Sequence, residues 1–265
     1  MLGRAIVITS GKGGVGKTTT TANVGTALAA LGKRVALVDA DVGLRNLDIV
    51  LGLENRVKFH VLDVIEGKAE LDDALVRDKR SENLYLLAAA QSREKEDVEA
   101  DAMRDLIEQL RKRFDFVLID CPAGIETGFT NAVAGAGHAI VVCTPEVSAV
   151  RDADRVVGLL PNTWQPELIV NRVRPALVRK GKMLSVDDVN AILRLPLLGV
   201  IPDEPSVIVS TNRGEPIALD QTSATGGAYR AIAAKLAGIA VETPPVPVEK
   251  PAGMFAKLGA FFGGR

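Results

Sequence analysis

A chain of 265 residues is long enough for a single α/β domain, and length alone also permits two. Apolar residues make up 47% and charged residues 25%, a globular profile, and a formal net charge of −1 excludes any global attraction to nucleic acid. Aromatics at 4% leave the core to Val, Leu, Ile and Ala, and two cysteines without framework spacing, Cys121 and Cys143, exclude a disulfide scaffold and fit a reducing compartment. The opening MLGRAIVITS enters a strand pattern with no charged-then-apolar leader, and no apolar run reaches the ~18–20 residues that span a bilayer. A cytoplasmic protein is expected.

In chain order, β-branched runs predict strands at Ala5–Thr9, Val35–Asp39, Leu84–Ala88, Phe116–Asp120, Ala139–Thr144, Leu168–Asn171 and Leu198–Ile201. Several are apolar throughout, as strands covered on both faces must be. Helical spacing predicts helices at Lys17–Leu31, Val61–Glu66, Val98–Arg113, Ala149–Leu160, Ser185–Leu193 and Ala228–Ala237, with Ser185 and Asp188 as a start signal for the fifth. This alternation predicts one α/β domain over residues 1–240: a mainly parallel twisted sheet, helices on both faces, and a ligand at the carboxyl ends of the strands. Four prolines in Val241–Pro251 predict an extended linker, and a short apolar segment follows at 252–265.

Gly11-Lys12-Gly13-Gly14-Val15-Gly16-Lys17-Thr18 matches the phosphate-loop pattern G-x-x-x-x-G-K-S/T, after a predicted strand and before a predicted helix. Glycines let backbone N–H groups turn inward around phosphate oxygens, and the helix adds its positive dipole end. Lys17 can reach the β- and γ-phosphates and the Thr18 hydroxyl can hold Mg²⁺; Thr19 completes the binding set. Lys12, flanked by glycines, reads either as a solvated surface lysine or as a cation offered in trans to phosphates held by a facing subunit. Two acids, Asp39 and Asp41, end the second predicted strand, and the strand pleat would aim them alike if it persists to Asp41. Phe116–Asp120 is an apolar strand ending in a carboxylate, the form that holds Mg²⁺ directly or through water. Asn171 ends a later strand and Pro202-Asp203 the next, and an Asn side chain can both donate to and accept from a base edge. The guanine signature N-K-x-D is absent, since Asn171 is followed by Arg172-Val173-Arg174, which favours ATP over GTP.

With its extra lysine, GKGGVGKT is the deviant form of the phosphate loop, and here the chain closely resembles the MinD/ParA group of ATPases. Gly43-Leu44-Arg45-Asn46-Leu47-Asp48, Pro122-Ala123-Gly124-Ile125-Glu126, Pro145-Glu146-Val147-Ser148 and Val150-Arg151-Asp152-Ala153-Asp154 resemble the MinD branch, the cell-division site-selection ATPases, more than the ParA partitioners. The resemblance implies that Lys12 acts across a homodimer formed with ATP and Mg²⁺. It implies that Asp41 orients the attacking water, and that Asp39 supports the metal's water shell while Asp120 holds the metal. It implies that Asn171 reads the base beside Pro202 and Asp203. The face carrying Ser148, Arg151, Asp152 and Asp154 would meet the partner subunit and the regulators MinC and MinE; read from the residues alone, it is a charged helix face.

In the last segment Met254, Phe255, Leu258, Phe261 and Phe262 fall at i, i+1, i+4, i+7 and i+8, one apolar stripe of a helix, with Lys257 suited to anionic headgroups. The segment is too short to be a stable helix in water and is expected to fold on a membrane. The expected location is therefore cytoplasmic, and peripheral on the inner face of the membrane when ATP is bound. Alternatives are a DNA-partitioning ATPase, which needs a basic patch, a flagellar-number regulator sharing core and tail, an iron–sulfur reductase, which needs cysteines placed to bridge a cluster, and a non-catalytic scaffold. No specific nucleic acid is expected as partner, and His60, His138 and Trp164 show no metal or catalytic spacing.

Overall fold

The computed structural model describes residues 2–90, 99–125 and 127–240. The expected linker and the expected membrane helix, with Met254, Phe255, Lys257, Leu258, Phe261 and Phe262, lie outside the described residues. Among the described residues eight strands form one sheet: β1 (Arg4–Thr9), β2 (Val35–Asp39), β3 (Val76–Arg77), β4 (Leu84–Leu87), β5 (Phe116–Asp120), β6 (His138–Cys143), β7 (Glu167–Val173) and β8 (Leu197–Pro202). Their spatial order is β3-β4-β2-β5-β1-β6-β7-β8, parallel throughout except for the β3–β4 edge. Every residue of β2 and β5 is buried. Both faces of the sheet are therefore covered, as the unbroken apolar runs require.

The chain leaves β1 toward β2 on one side and later places β6 on the other, so the strand order reverses beside β1. That reversal opens a crevice at the carboxyl ends of the strands, where β1, β2, β5 and β7 all end in the residues singled out above. The helix Lys17–Ala30 has no polar stripe and is buried over most of its length. It packs against Ala224–Leu236 and Leu47–Leu51. The helices Ala100–Arg111 and Val147–Val157 bury only one stripe each, Met103, Leu106, Ile107 and Leu110 in the first and Ala149, Val150, Ala153 and Val156 in the second. No helix among the described residues is long and apolar enough to cross a membrane.

The seven expected strands are present with ends shifted by at most two residues. The edge strand β3, two residues long, carries no periodicity to read. The short helices Leu47–Leu51, Leu71–Ala74, Thr127–Ala134, Pro175–Arg179 and Ser206–Asn212 carry no clear signal in the sequence, because one or two turns present too little of a 3.6-residue period. The last helix begins at Ala224 rather than Ala228, because the Ser223 hydroxyl accepts from the Gly226 N–H at 2.9 Å and caps it there. Ser185 and Asp188 form a reciprocal capping box: the Asp188 N–H donates to Ser185 Oγ at 3.0 Å and the Ser185 N–H to Asp188 Oδ2 at 2.9 Å. Ser185→Ala removes the first of these in a buried setting and is expected to cost about 1 kcal/mol, measured as a lower urea midpoint at unchanged slope; an unchanged midpoint would show that the cap is not stabilising.

Candidate functional site

The phosphate loop leaves β1 and turns into the helix at Lys17. Gly16 takes the left-handed conformation (φ 98°, ψ 28°) and serves as helix N-cap. A Cβ there would meet the amide nitrogen of Asn171 at 2.4 Å. That amide donates to the Val15 carbonyl at 2.8 Å, and Asn171 Oδ1 accepts from the Arg172 N–H at 2.9 Å. Asn171, only 5% exposed, therefore splints the phosphate loop from β7. Spacing could not have shown this contact, which crosses 156 residues; it leaves one amide proton and the outer lone pair for the base-reading role that the resemblance implies. Gly11 marks a second close approach, since a Cβ on it would fall 2.0 Å from the Asp152 carbonyl oxygen. The loop thus rests directly on the backbone of the helix Val147–Val157.

Lys12 extends along that same helix. Its ammonium donates to Ser148 Oγ at 3.1 Å and lies 3.8 Å from a Glu146 carboxylate oxygen, with the side chain 43% exposed. Of the expected partner face, Ser148 touches Lys12, Asp152 backs Gly11 and lies 3.9 Å from Arg155, and Arg151 and Asp154 are exposed. Glu146, unassigned from sequence beyond its place in the family string, is the second acceptor for Lys12.

Asp39 and Asp120 stand directly opposite each other in register on neighbouring parallel strands, and both are buried. Burial pushes the Asp39 carboxyl up to about 8, with the Asp120 charge adding to it, against backbone hydrogen bonds that oppose the rise. Burial also raises Asp120, but only to about 6, because Thr18, Lys17 and Thr21 favour its charged form. The Thr21 hydroxyl donates to Asp120 Oδ1 at 3.2 Å. Lys17, at the helix start and 8% exposed, is the cation of this cluster.

Asp41 does not continue the pleat, because β2 ends at Asp39. The chain turns there: Asp39 Oδ1 accepts from the Asp41 N–H at 3.0 Å, and Oδ2 from the N–H groups of Asn46 and Leu47, each at 3.2 Å. The expectation that pleat aims both acids alike is corrected accordingly. Asp39 instead organises the loop that carries Asp41 and holds the start of the helix Leu47–Leu51, while Asp41 remains close enough for its charge to raise both Asp39 and Asp120. Cys121 and Cys143 are buried free thiols that burial pushes up to about 12, unsuited to ligating a cluster.

Beside Gly16 opens a cleft of about 300 Å³ whose lining includes Thr19, Asn171, Pro202 and Asp203, four residues assigned to nucleotide binding from sequence. Its walls also contain Arg172, Arg174, Ile208 and Tyr229, which carried no sequence signal as isolated residues. Arg172 has a left-handed backbone (φ 58°) at an irregularity in the β7–β8 pairing, which separates it from the inward-facing Asn171. The Arg174 guanidinium pairs with Asp203 at 2.5 Å. Thr20 and Tyr229 hydroxyls meet at 3.4 Å behind the cleft.

Such a loop, joined to a buried acid pair and an adjacent cleft at the carboxyl edge of a parallel sheet, defines a phosphate-loop nucleotide-binding protein. Residues 6–217 match the CobQ/CobB/MinD/ParA nucleotide-binding domain. The septum site-determining protein MinD of Bacillus subtilis (strain 168) is 52% identical over 270 residues, covering 100% of both chains. Among solved structures, the MinC:MinD cell division protein complex of Aquifex aeolicus matches with a TM-score of 0.84 at 47% identity, covering 91% of this chain and 98% of that one. The septum site-determining MinD of Pyrococcus horikoshii OT3 complexed with Mg-ADP matches at 0.80 and 33%, covering 89% and 96%. The chain belongs to the MinD branch of the CobQ/CobB/MinD/ParA nucleotide-binding family.

The carboxyl groups of Asp39 and Asp120 are raised, so the folded state without ligand holds protons that the unfolded chain has already lost between about pH 4 and 8. Stability of the nucleotide-free protein is therefore highest at the acid end of that window and falls as pH rises through it. Asp120→Asn, which removes one of the two facing charges, is expected to flatten this slope and raise neutral-pH stability by about 1–3 kcal/mol, read from urea midpoints at pH 5 and 8. A parallel pH profile in the variant would refute the electrostatic account.

Proposed function

We propose that this protein is a slow Mg²⁺-dependent ATPase acting as a membrane-associated switch of division-site placement. The observation that carries the reading is Lys12. Its ammonium reaches outward to Ser148 and Glu146 at the start of the neighbouring helix and remains nearly half exposed. A facing copy can therefore receive it at the phosphates of its own nucleotide, while the partner's lysine completes the first site. Lys17 then neutralises charge on the bound phosphates, Asp41 orients the attacking water, and Asn171, Pro202 and Asp203 hold the base.

The chemistry of the acid pair supports the metal. Two facing carboxylates raised by burial and by neighbouring acid charge are stabilised by a divalent cation, and Thr18 adds a hydroxyl beside Asp120. Among the described residues, no three His, Cys, Asp or Glu side chains are placed to hold a metal ion unaided. Mg²⁺ would therefore depend on Thr18, Asp120 and nucleotide phosphates, with Asp39 supporting its water shell through the Asp41 loop. When bound, it would draw charge from the β- and γ-phosphate oxygens.

The chain beyond residue 240 supplies the output. The last described helix ends near the amino ends of the strands, where Arg4 donates to the Leu236 carbonyl at 2.8 Å and Lys235 to the Leu198 carbonyl at 2.8 Å. The proposed linker at 241–251 and amphipathic helix at 252–265 begin from that end, opposite the phosphate-loop face that a second copy would meet. One short amphipathic segment binds lipid weakly, and two on one dimer gain about 10²–10⁴ in avidity. ATP makes the dimer and so makes the membrane affinity, and hydrolysis releases both. MinC is the division inhibitor recruited in the ATP state, on the face of Ser148, Arg151, Asp152 and Asp154, with MinE or an equivalent regulator opposing it. The solved MinC:MinD complex of the Aquifex relative supports the first partner.

Liposome co-sedimentation with ADP, ATP and a slowly hydrolysed analogue tests the scheme, using the full chain and a chain ending at Ala252. Sedimentation of only the full chain, and only with ATP or the analogue, is expected; Lys12→Ala should abolish it while leaving the protein folded. Equal sedimentation under ADP and ATP would remove the switch.

A further inference from the structure

Arg80 lies in the turn between β3 and β4, outside the phosphate loop, the acid pair and the base cleft. Its guanidinium nevertheless ties together two helix ends whose opposite ends reach the acid pair and the base cleft. Nη1 donates to the Gly214 carbonyl at 2.7 Å, and Nη2 to the Leu51 carbonyl at 2.6 Å and to Asp78 Oδ2 at 2.7 Å; Nε donates to Asp78 Oδ1 at 3.2 Å. Asp78 is itself only 5% exposed, so the cation is held by a buried bidentate carboxylate.

Both carbonyls lie at helix ends. Leu51 closes Leu47–Leu51, and Gly214 follows Ser206–Asn212 by two residues. The two ends abut through bare backbone, since a Cβ on Gly214 would fall 2.4 Å from the Gly52 Cα. Gly52 and Gly214 also take positive φ values of 64° and 62°. A guanidinium suits this junction because its planar fork serves two carbonyls and a carboxylate at once, which a lysine ammonium on a flexible stem cannot do in the same geometry.

The far ends of the two helices define what the junction connects. Leu47–Leu51 begins at the Asn46 and Leu47 N–H groups held by Asp39, and its preceding loop carries Asp41. Ser206–Asn212 begins beside Pro205, Val207 and Ile208 on the wall of the base cleft. A continuous line of packed elements therefore runs from base cleft to acid pair, and Arg80 closes it at the middle.

We infer that Arg80 is a positioning residue that couples occupancy of the base cleft to the placement of the 41–51 loop, so that hydrolysis rather than binding depends on the fit of the base. This rests on the ATPase reading above. The test compares turnover of Mg·ATP with that of Mg·ITP, which differs at the purine 6-position, alongside direct binding of each, in the wild-type chain, Arg80→Lys and Gly214→Ala. Wild-type protein should turn ATP over faster than ITP. In Arg80→Lys the ATP rate should fall about tenfold toward the ITP rate, with ITP turnover changed less than about twofold and ATP affinity within about threefold. Gly214→Ala, which forces the junction apart from its other side, should reproduce this pattern, and it carries the comparison by itself if thermal melting shows that Arg80→Lys does not fold. Arg213→Ala, an exposed neighbour, should leave the rates unchanged. Equal loss with both nucleotides, no loss with either, or equal wild-type turnover of ATP and ITP overturns the coupling. A wild-type chain that hydrolyses neither overturns the ATPase reading and the coupling with it.

Discussion

Asp39 and Asp120 face each other across adjacent strands in the dry interior of a parallel sheet, and much of the surrounding architecture answers that constraint. Two buried carboxylates in register cost several kcal/mol unless charge or hydrogen bonds compensate them. On the Asp120 side the compensation is cationic and hydroxylic, from Lys17, Thr18 and Thr21. On the Asp39 side it comes from three backbone N–H groups, those of Asp41, Asn46 and Leu47. The second solution shapes the loop after β2. It turns the chain away from the sheet and starts a helix that has no side-chain cap of its own. Two facing carboxylates raised in this way favour a cation beside them and whatever brings one.

The phosphate loop is held by the same logic of distant anchors. Asn171 reaches in from β7 to the Val15 carbonyl, and Gly11 lies on the backbone of the helix Val147–Val157. The Lys12 side chain follows the loop onto that helix. Movement of the loop and movement of the helix are therefore linked by contact, and the expected partner residues Ser148 and Asp152 sit at the link. A charged helix face that looks like ordinary solvated surface in the sequence is, in three dimensions, the outer wall of the phosphate site.

Much of the fold was legible because its signals are local. Apolar runs such as Val35–Val38 and Val117–Ile119 report strands buried on both faces, and the glycine pattern from Gly11 to Gly16 reports a backbone shaped around phosphate. Ser185 and Asp188 reported a capped helix start, which the structure contains. The pleat argument for Asp39 and Asp41 failed because it assumed two more residues of extended backbone, whereas the carboxylate of the first acid captured the amide of the second. Short helices such as Leu47–Leu51 and Ser206–Asn212 were not legible, since they are stabilised by what holds their ends rather than by their own spacing.

From its residues alone the chain determined an alternating α/β domain, a phosphate loop with an additional lysine, and acids at two neighbouring strand ends. Each follows from chemistry confined to a window of about a dozen residues. Only the folded chain decided which side chains those motifs meet. It set Asn171 against Val15, Lys12 against Ser148, Asp39 against its own following loop, and Arg80 between Leu51 and Gly214. The reason is the strand order: a sheet that runs β4-β2-β5-β1-β6-β7 brings together segments far apart in the chain, Val15 and Asn171 across 156 residues among them, and no local pattern encodes which of them will touch.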